Sequence, residues 1–173
     1  CHSRLSLVGN QFHCTGEHCQ ARFPIVDGVP ILLNEARSVF SIDDFVRHRA
    51  TTFRSTARIE RWLARVVPEL GVNLKAKQNY ERLTRLLLQR TSHPRVLVIG
   101  AMTVGRGMAS MLAEPAIEFI ETDVALGERT MLVADGHDLP FEDGAFDGVV
   151  IQAVLEHVVD PSRCVEEIHR VMA

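Results

Sequence analysis

The stretch RVLVIGAMTVGRGM, Arg95 to Met108, decides the fold prediction. Four consecutive apolar residues, Val96 to Ile99, predict a buried strand, and the glycines that follow predict a loop leading into a helix. Such a loop gathers free backbone N–H groups at one point, which suits ligand binding. The Gly-x-Gly step of a dinucleotide loop is missing, because alanine and methionine follow Gly100. The loop therefore favours a ligand without phosphates.

The composition is that of an ordinary globular protein. The chain has 173 residues, of which 46% are hydrophobic and 24% charged, and its net charge is -3. This charge argues against nucleic acid as a partner, and no apolar run is long enough to predict a membrane span. The four cysteines, with no secretion signal ahead of them, predict a cytoplasmic location and suggest a metal site. A first residue other than methionine, and a final EEIHRVMA that the pattern places in mid-helix, predict a fragment of a longer protein.

The chain divides into three predicted sections. Residues 1–36 contain short β-type runs (RLSLVG, QFHC, RFPIV), and residues 37–91 are predicted to be a helical linker or cap. Within that linker, one helix is predicted from Asp43 to Leu70. A second is predicted from Asn73 to Arg90, with three leucines on one face: Leu83, Leu86 and Leu87.

Residues 92–173 alternate between apolar strands and helices. The predicted strands lie in RVLVIG, IEFIETDV, TMLVAD and FDGVVIQAVL, and GRGMASMLAE is predicted to be a helix. Asp160 and Pro161 are typical of a helix N-cap and first position, so DPSRCVEEIHRVM is predicted to be the last helix. This alternation predicts a parallel sheet with helices on both faces.

Acidic side chains follow two of these strands. Glu121 and Asp123 end the second strand about 20 residues beyond the loop, where a carboxylate can accept hydrogen bonds from both hydroxyls of a ribose. Asp135 follows the third strand, where it suits an adenine amino group or a neighbouring backbone turn.

The stretch VADGHDLPFEDGAFDGVVIQAVLEHVVDPSRCVEEIHRVM resembles the class I S-adenosylmethionine-dependent methyltransferases, in the methyltransferase type 11 branch that acts on small molecules. The resemblance covers about Arg95 to Ala173. It implies a Rossmann-like, mostly parallel sheet, here truncated after its fourth strand, with S-adenosylmethionine across the carboxyl ends of the strands. It also implies the cofactor-binding residues Gly100, Ala101, Gly105, Asp123, Asp135, Gly136, His137, Gln152 and Ala153. The stretch GAMTVG departs from the family's three close glycines, which predicts weaker cofactor binding.

His157, in LEH after the fourth strand, is the candidate general base. A sulfonium methyl group is already activated, so the protein mainly aligns the acceptor, and a base is optional. The other interpretation is a structural histidine at the strand–helix junction. The methyl acceptor is predicted to be a small molecule that the sequence does not identify.

The first 34 residues resemble the zinc-ribbon-like domain that activates tRNA and protein methyltransferases. The resemblance lies in Cys1 and FHCTGEHCQARFPIVDGVPILL, in which Phe23–Ile25 and Asp27–Leu33 match the closing hairpin of that domain. It implies Cys1, Cys14 and Cys19 as zinc ligands. Only three cysteines lie in this segment, so His2, His13 or His18 would supply the fourth ligand. The alternative is a metal-free β-ribbon that is stable because it packs on the larger domain.

Two other functions remain open at this stage. One is a non-catalytic binding or scaffold protein that keeps the methyltransferase fold with weakened cofactor binding. The other is a nicotinamide-dependent oxidoreductase, which the missing Gly-x-Gly step argues against.

Overall fold

The computed structural model describes residues 3–49, 74–102, 104–105 and 107–173. The N-terminal section forms an antiparallel sheet of β1 (Leu5–Val8), β2 (Gln11–Cys14), β3 (Arg22–Val26) and β4 (Val29–Pro30), in that order. The predicted β-type runs are therefore confirmed. Asp27 and Gly28 both have positive φ angles, of 51° and 83°, and join β3 to β4 in a two-residue hairpin turn.

Helix α1 (Ile42–Val46) is much shorter than the helix predicted from Asp43. The hydroxyl of Ser41 caps its N-terminus by accepting a hydrogen bond from the Asp43 N–H. The helix ends because His48 takes a left-handed conformation, with a φ angle of 49°. The Arg49 N–H then donates to the Asp44 carbonyl, which closes the turn. The rest of that prediction, from residue 50 onward, lies outside the described residues.

Helix α2 (Leu74–Arg90) confirms the second predicted helix, but one predicted core residue is wrong. Leu87 is buried and Leu83 is partly buried, whereas Leu86 is 53% exposed. Tyr80 takes part in the buried stripe instead. The stripe follows the i, i+3, i+7 positions from Tyr80, and Leu86 lies to one side of it.

The C-terminal section contains the predicted parallel sheet. Its strands are β5 (Arg95–Ile99), β6 (Glu118–Asp123), β7 (Leu132–Val133) and β8 (Gly148–Ile151), in the order β7-β6-β5-β8. Helix α3 (Ala109–Leu112) is short, and α4 (Pro161–Val171) starts at the predicted N-cap, Asp160. We expected α4 to continue to the last residue. That expectation is wrong, because Met172 is extended and pairs with Phe146.

Both faces of this sheet are covered, as its near-continuous apolar strands predict. On one face, Val96 and Val98 pack with residues of α2 and α3, including Leu87 and Met111. On the other face, Leu97 and Ile99 pack in a cluster with Phe146, Leu139 and Val171, the last residue of α4. β5 therefore lies at the centre of the core and fixes the position of Gly100 at its end.

The two sheets are joined by one short segment. Ile31 pairs with Val133 at the outer edge of β7, and the Leu32 N–H donates to the Val133 carbonyl at 2.9 Å. A shared apolar cluster surrounds this junction; it consists of Val26, Ile31, Leu33, Phe45 and Val133. None of the helices in the described parts of the chain has the length and apolar character that crossing a membrane requires.

Candidate functional site

The loop after β5 begins with a sharp turn at Gly100. Its φ angle of 82° is in the left-handed region that favours glycine. The N–H groups of Gly100 and Ala101 both donate to the Thr122 carbonyl, at 2.9 and 3.0 Å, so the loop is tied to β6. The Ala101 side chain belongs to the core cluster around Val98. Ala101 can therefore offer a ligand its backbone but not its methyl group.

Asp123 lies beside this loop at the carboxyl end of β6. The register pairs Ile99 with Thr122, which places Asp123 next to Gly100 across the two strands. Its carboxylate accepts one hydrogen bond from the Met102 N–H at 2.9 Å and one from the Ala125 N–H at 3.0 Å. Burial raises the pKa of Asp123, and these backbone donors only partly oppose that effect. The Val124 N–H is a third backbone donor to this carboxylate, which leaves one acceptor position for a ligand hydroxyl.

Glu121, the other acid at the end of this strand, is bonded to a different partner, Arg129. It is buried, and its carboxylate accepts hydrogen bonds from the guanidinium of Arg129, one of them from Nε at 3.0 Å. The two acids lie two residues apart on one strand. The Met102 N–H of the loop donates to Asp123, whereas Glu121 is paired with Arg129.

Asp135 and His137 form a hydrogen-bonded pair after β7. The Nδ1 atom of His137 lies 2.6 Å from Oδ1 of Asp135, and its Nε2 accepts the Asp160 N–H at 3.1 Å. Because Nε2 accepts a hydrogen bond, Nδ1 carries the ring proton and donates a hydrogen bond to Asp135. Both ring nitrogens of His137 are thus engaged inside the protein, linking the turn after β7 to the N-cap of α4.

A residue from the N-terminal section completes this group. The Ser38 hydroxyl donates to Oδ2 of Asp135 at 2.5 Å, and Asn34 and Arg37 donate to Asp138 at 2.7 and 3.2 Å. The segment that follows the sheet junction is therefore bonded onto the turn that the sequence assigned to adenine.

Gly136 lies in the same turn and is close to the last helix. A Cβ atom on Gly136 would approach the Cys164 sulfur at 3.4 Å. Cys164 is buried, and burial raises the pKa of its thiol to about 11. Cys164 is therefore a neutral core residue, as the sequence indicated.

The segment after β8 packs against the loop after β5. Gln152 contacts Gly105, and Val154 contacts Gly100. The Tyr80 hydroxyl of α2 donates to Oε1 of Gln152 at 2.6 Å, and Ala153 has a positive φ angle of 54°. The sequence predicts a cofactor-shaped pocket at Gly100–Gly105; the described contacts show which residues border this place, and the pocket itself stays a prediction.

His157 lies on the exposed turn before α4. Its N–H donates to the Val154 carbonyl at 2.8 Å, and its side chain is exposed. The contacts described for it are those of a turn residue, so its role as a base stays a prediction.

The predicted zinc ligands are only partly described. Cys14 and Cys19 are close enough to form a hydrogen bond. The pKa of the Cys19 thiol is lowered mainly by a hydrogen bond from the Ala21 backbone and next by the hydrogen bond with Cys14. Cys1 lies outside the described residues. Among the residues described, no group of three His, Cys, Asp or Glu side chains is arranged to hold a metal ion. The described residues therefore do not form a zinc site.

The sequence did not single out three residues that bond to the candidate site. Ser38 is 97 residues from Asp135, and Asn34 is 104 residues from its partner Asp138, so no local pattern could link them. Tyr80 did carry a signal, because it continues the apolar stripe of α2 that includes Leu83 and Leu87.

Residues 103–173 match a protein family described as "Methyltransferase domain". The matched part includes β6, β7, β8 and α4 and is less than half of the chain. No curated protein matches the sequence.

Several solved structures are similar to parts of the chain. The YcgJ protein from Bacillus subtilis is 23% identical, with a TM-score of 0.39, over 53% of this chain and 46% of its own. A SAM-dependent methyltransferase from Thermotoga maritima is 18% identical, with a TM-score of 0.38, over 67% of this chain and 52% of its own.

A third similar structure is 1,6-didemethyltoxoflavin-N1-methyltransferase from Burkholderia thailandensis, which contains S-adenosylhomocysteine. It is 12% identical, with a TM-score of 0.42, over 98% of this chain and 68% of its own. The chain spans about half the length of the first two structures.

Proposed function

We propose that the chain is part of a methyltransferase that binds S-adenosylmethionine and transfers its methyl group to a small molecule. The observation that carries the proposal is the placement of Asp123. It lies within the matched residues 103–173, at the carboxyl end of a parallel strand and beside the turn at Gly100. Open α/β sheets bind ligands at this edge.

The residues present fit the cofactor at its ribose. Asp123 keeps one acceptor position beside its three backbone donors, which suits a ribose hydroxyl group. The bound cofactor would supply a methyl group on a positively charged sulfur. Gln152 and Ala153 would border its methionine part beside Gly105, and the Asp135–His137 turn would flank the adenine.

Asp123→Ala should weaken the binding of S-adenosylhomocysteine about tenfold or more. Losing hydrogen bonds between a charged acceptor and the ribose costs roughly 1.5–3 kcal/mol. Isothermal titration calorimetry measures the affinity directly. Glu128→Ala is the matched control, because Glu128 is an exposed acid five residues further along.

Equal affinities for Asp123→Ala and the unchanged protein would remove Asp123 from the site. Complete absence of binding to the unchanged protein would favour a scaffold that has lost the cofactor. A melting curve for each variant separates lost binding from lost folding, because Asp123 also holds the Met102 N–H.

We further propose a cytoplasmic location and a zinc-ribbon origin for the N-terminal sheet. The free thiols of Cys19 and Cys164 fit a reducing compartment. Elemental analysis of the purified protein tests the zinc prediction for Cys1, Cys14 and Cys19. Near-stoichiometric zinc that a chelator removes would support the prediction, and metal-free protein with an unchanged melting curve would contradict it.

A further inference from the structure

A cavity of about 510 Å³ lies between the N-terminal sheet and the turn after β7. Its walls come from β1, β2, β3, residues 32–36 and residues 138–142. The cofactor-site residues Gly100, Asp123 and Gln152 do not line it. A volume of this size accommodates a small organic molecule.

The face of the N-terminal sheet that lines this cavity is largely apolar. The register pairs Leu5 with Cys14 and Phe12 with Phe23. Paired residues share a face of the sheet, and so do alternate residues of β2, so Leu5, Cys14 and Phe23 lie on one face. The buried side chain of Leu139 lies in the opposite wall. Such walls favour the apolar body of a ligand over water.

The two arginines at the edge of this wall contribute their backbone to it. Arg22 precedes Phe23 in β3, and Arg4 precedes Leu5 at the start of β1. The strand pairing continues at Arg4, whose carbonyl accepts the Thr15 N–H at 2.9 Å. Because successive side chains of a strand point to opposite faces, both guanidinium groups lie on the face away from the cavity.

Three carboxylates belong to the lining of the cavity, those of Glu35, Asp138 and Glu142. Asp138 is paired with Arg37, whose Nη1 lies 3.2 Å from Oδ1. In the described part of the chain, Glu35 and Glu142 form no ion pair. The lining therefore carries an excess of negative charge.

The Glu35 carboxylate is held in place without losing its charge. Its Oε1 atom accepts from the Ser41 hydroxyl at 2.8 Å and from the Ile42 N–H at 2.9 Å. Both donors are neutral groups, so they orient the carboxylate and leave its negative charge uncompensated. Ile42 itself lines the cavity, which places this carboxylate beside the wall.

Aromatic rings add to the attraction for a positive charge. The partly exposed side chains of Phe23 and Phe141 both line the cavity, and Glu142 follows Phe141 in the turn. An aromatic ring attracts a cation through its negative face. Carboxylates and aromatic rings together favour an organic cation with an apolar body.

The cavity wall is also preformed. Arg170 of α4 donates to the carbonyls of Leu139 and Phe141 at 2.8 and 2.7 Å. Its positive charge is matched by the carboxylates of Glu167 and Asp143, at 2.7 and 2.9 Å. The turn that closes one side of the cavity is therefore fixed before any ligand binds, which lowers the entropic cost of binding.

We propose that this cavity binds a small organic cation, an apolar body carrying an ammonium group, and that the carboxylates of Glu35 and Glu142 attract the charged group. The site is separate from the proposed cofactor site, so its test does not depend on methyl transfer.

The test uses the 173-residue protein with a measured zinc content and three probes that share one apolar body. They are the cation 2-naphthylmethylammonium, the neutral 2-naphthalenemethanol and the anion 2-naphthoate. Calorimetry at low ionic strength should show the ammonium binding about fivefold or more tightly than the alcohol, and the naphthoate binding most weakly. Amide shifts in a ¹H–¹⁵N spectrum should lie at Leu5, Phe23, Ile42 and Phe141.

Two double variants test the assignment of charge. Glu35→Gln with Glu142→Gln should remove most of the preference for the ammonium and leave the affinity for the alcohol about unchanged, because glutamine keeps an oxygen that accepts the hydrogen bonds at position 35. Glu128→Gln with Glu166→Gln is the matched control. It changes the net charge equally, at two exposed acids outside the cavity, and should keep the preference. A melting curve confirms that each variant folds, and if the first double variant does not fold, Glu142→Gln alone is measured.

Three results would overturn the proposal. The first is an ammonium probe that does not bind, or that binds no more tightly than the alcohol. The second is an unchanged preference for the ammonium in the folded variant that lacks the Glu35 and Glu142 charges. The third is displacement of the ammonium by S-adenosylhomocysteine with amide shifts at Gly100 and Gly105, which would place the cation in the cofactor site.

Discussion

At the scale of the residue, the Asp123 carboxylate both holds the backbone around it and offers an acceptor to a ligand. It holds the loop after β5 through the Met102 N–H and the turn after β6 through the Ala125 N–H. The Val124 N–H is a third donor, and we propose that the remaining acceptor position takes a ribose hydroxyl. A ligand would therefore meet a carboxylate that the backbone has already oriented, and this orientation favours binding.

The affinity for S-adenosylhomocysteine should depend on acidity through Asp123. Its pKa is raised above the usual 3.8, so the carboxylate takes up a proton at a higher pH than an exposed aspartate does. Protonation removes acceptor capacity, so binding should weaken as the pH falls through this raised pKa. Calorimetric titrations across the acidic range measure the effect.

In Asp123→Asn this acid-dependent loss should disappear. Persistence of the same pH profile in Asp123→Asn would show that another group controls binding.

The effect of Asp123 on stability has the opposite sign to its effect on binding. Because the pKa of this acid is raised by folding, its contribution to the free energy of unfolding decreases as the pH rises through the window above 3.8.

At the scale of the element, α4 is attached to the turn after β7 by its own side chains. Arg170 donates to two carbonyls of that turn, to Asp143 at 2.9 Å and to Glu167 at 2.7 Å. Hydrogen bonds to Glu167 and Asp143 hold the pKa of Arg170 above its ordinary value. This arginine joins the helix to the turn over residues 139–143.

Arg170→Met should reduce the free energy of unfolding by about 2–4 kcal/mol, because it leaves two partly buried carbonyls and the Glu167 carboxylate without their donor. Urea unfolding measures the change. Arg163→Met, on the same helix, should change stability by less than about 1 kcal/mol. Equal losses in the two variants would contradict a specific role for Arg170.

The predictions that succeeded rested on local patterns. Apolar runs placed all four parallel strands, and Asp160 with Pro161 placed the start of α4. The end of α1 at Val46 depends on the left-handed conformation of His48. Glycine is the residue that usually marks such a helix end, so a histidine did not predict it. The contact between Gln152 and Gly105 depends on packing across the sheet, so it could not be predicted from spacing.

The candidate site was predictable only where a local sequence pattern marked it. A strand end followed by an acid gave Asp123, because parallel strands end at one edge of the sheet. The strand end alone offers both Asp123 and Glu121, and the family resemblance selects Asp123. The ion pair of Glu121 could not be predicted, since its partner Arg129 lies eight residues away in a loop. Ser38 was missed because its hydrogen bond to Asp135 spans the junction between two sheets.

At the scale of the whole molecule, the two sheets share an apolar cluster at their junction. Ile31 is fully buried at the junction and pairs with Val133, which belongs to the parallel sheet. The N-terminal sheet is small, so this packing supplies apolar burial that it cannot provide alone.

Ile31→Ala should therefore lower the free energy of unfolding by about 2–4 kcal/mol and destabilise both sheets in a single transition. Thermal melts followed by circular dichroism measure the loss. Leu7→Ala, at a position 60% exposed on β1, is the control and should have little effect. Two separate transitions in the unchanged protein would show that the sheets fold independently.

The pairing of Ile31 with Val133 has a consequence for solubility. β7 is an outermost strand of the parallel sheet, and a bare outer strand offers free N–H and C=O groups to other molecules. Ile31 and Leu32 take up part of that hydrogen-bonding capacity within the same chain. Proteolytic loss of the first 33 residues would bare the strand and the apolar residues around Val133 together. The N-terminal sheet thus protects its own molecule against edge-to-edge aggregation.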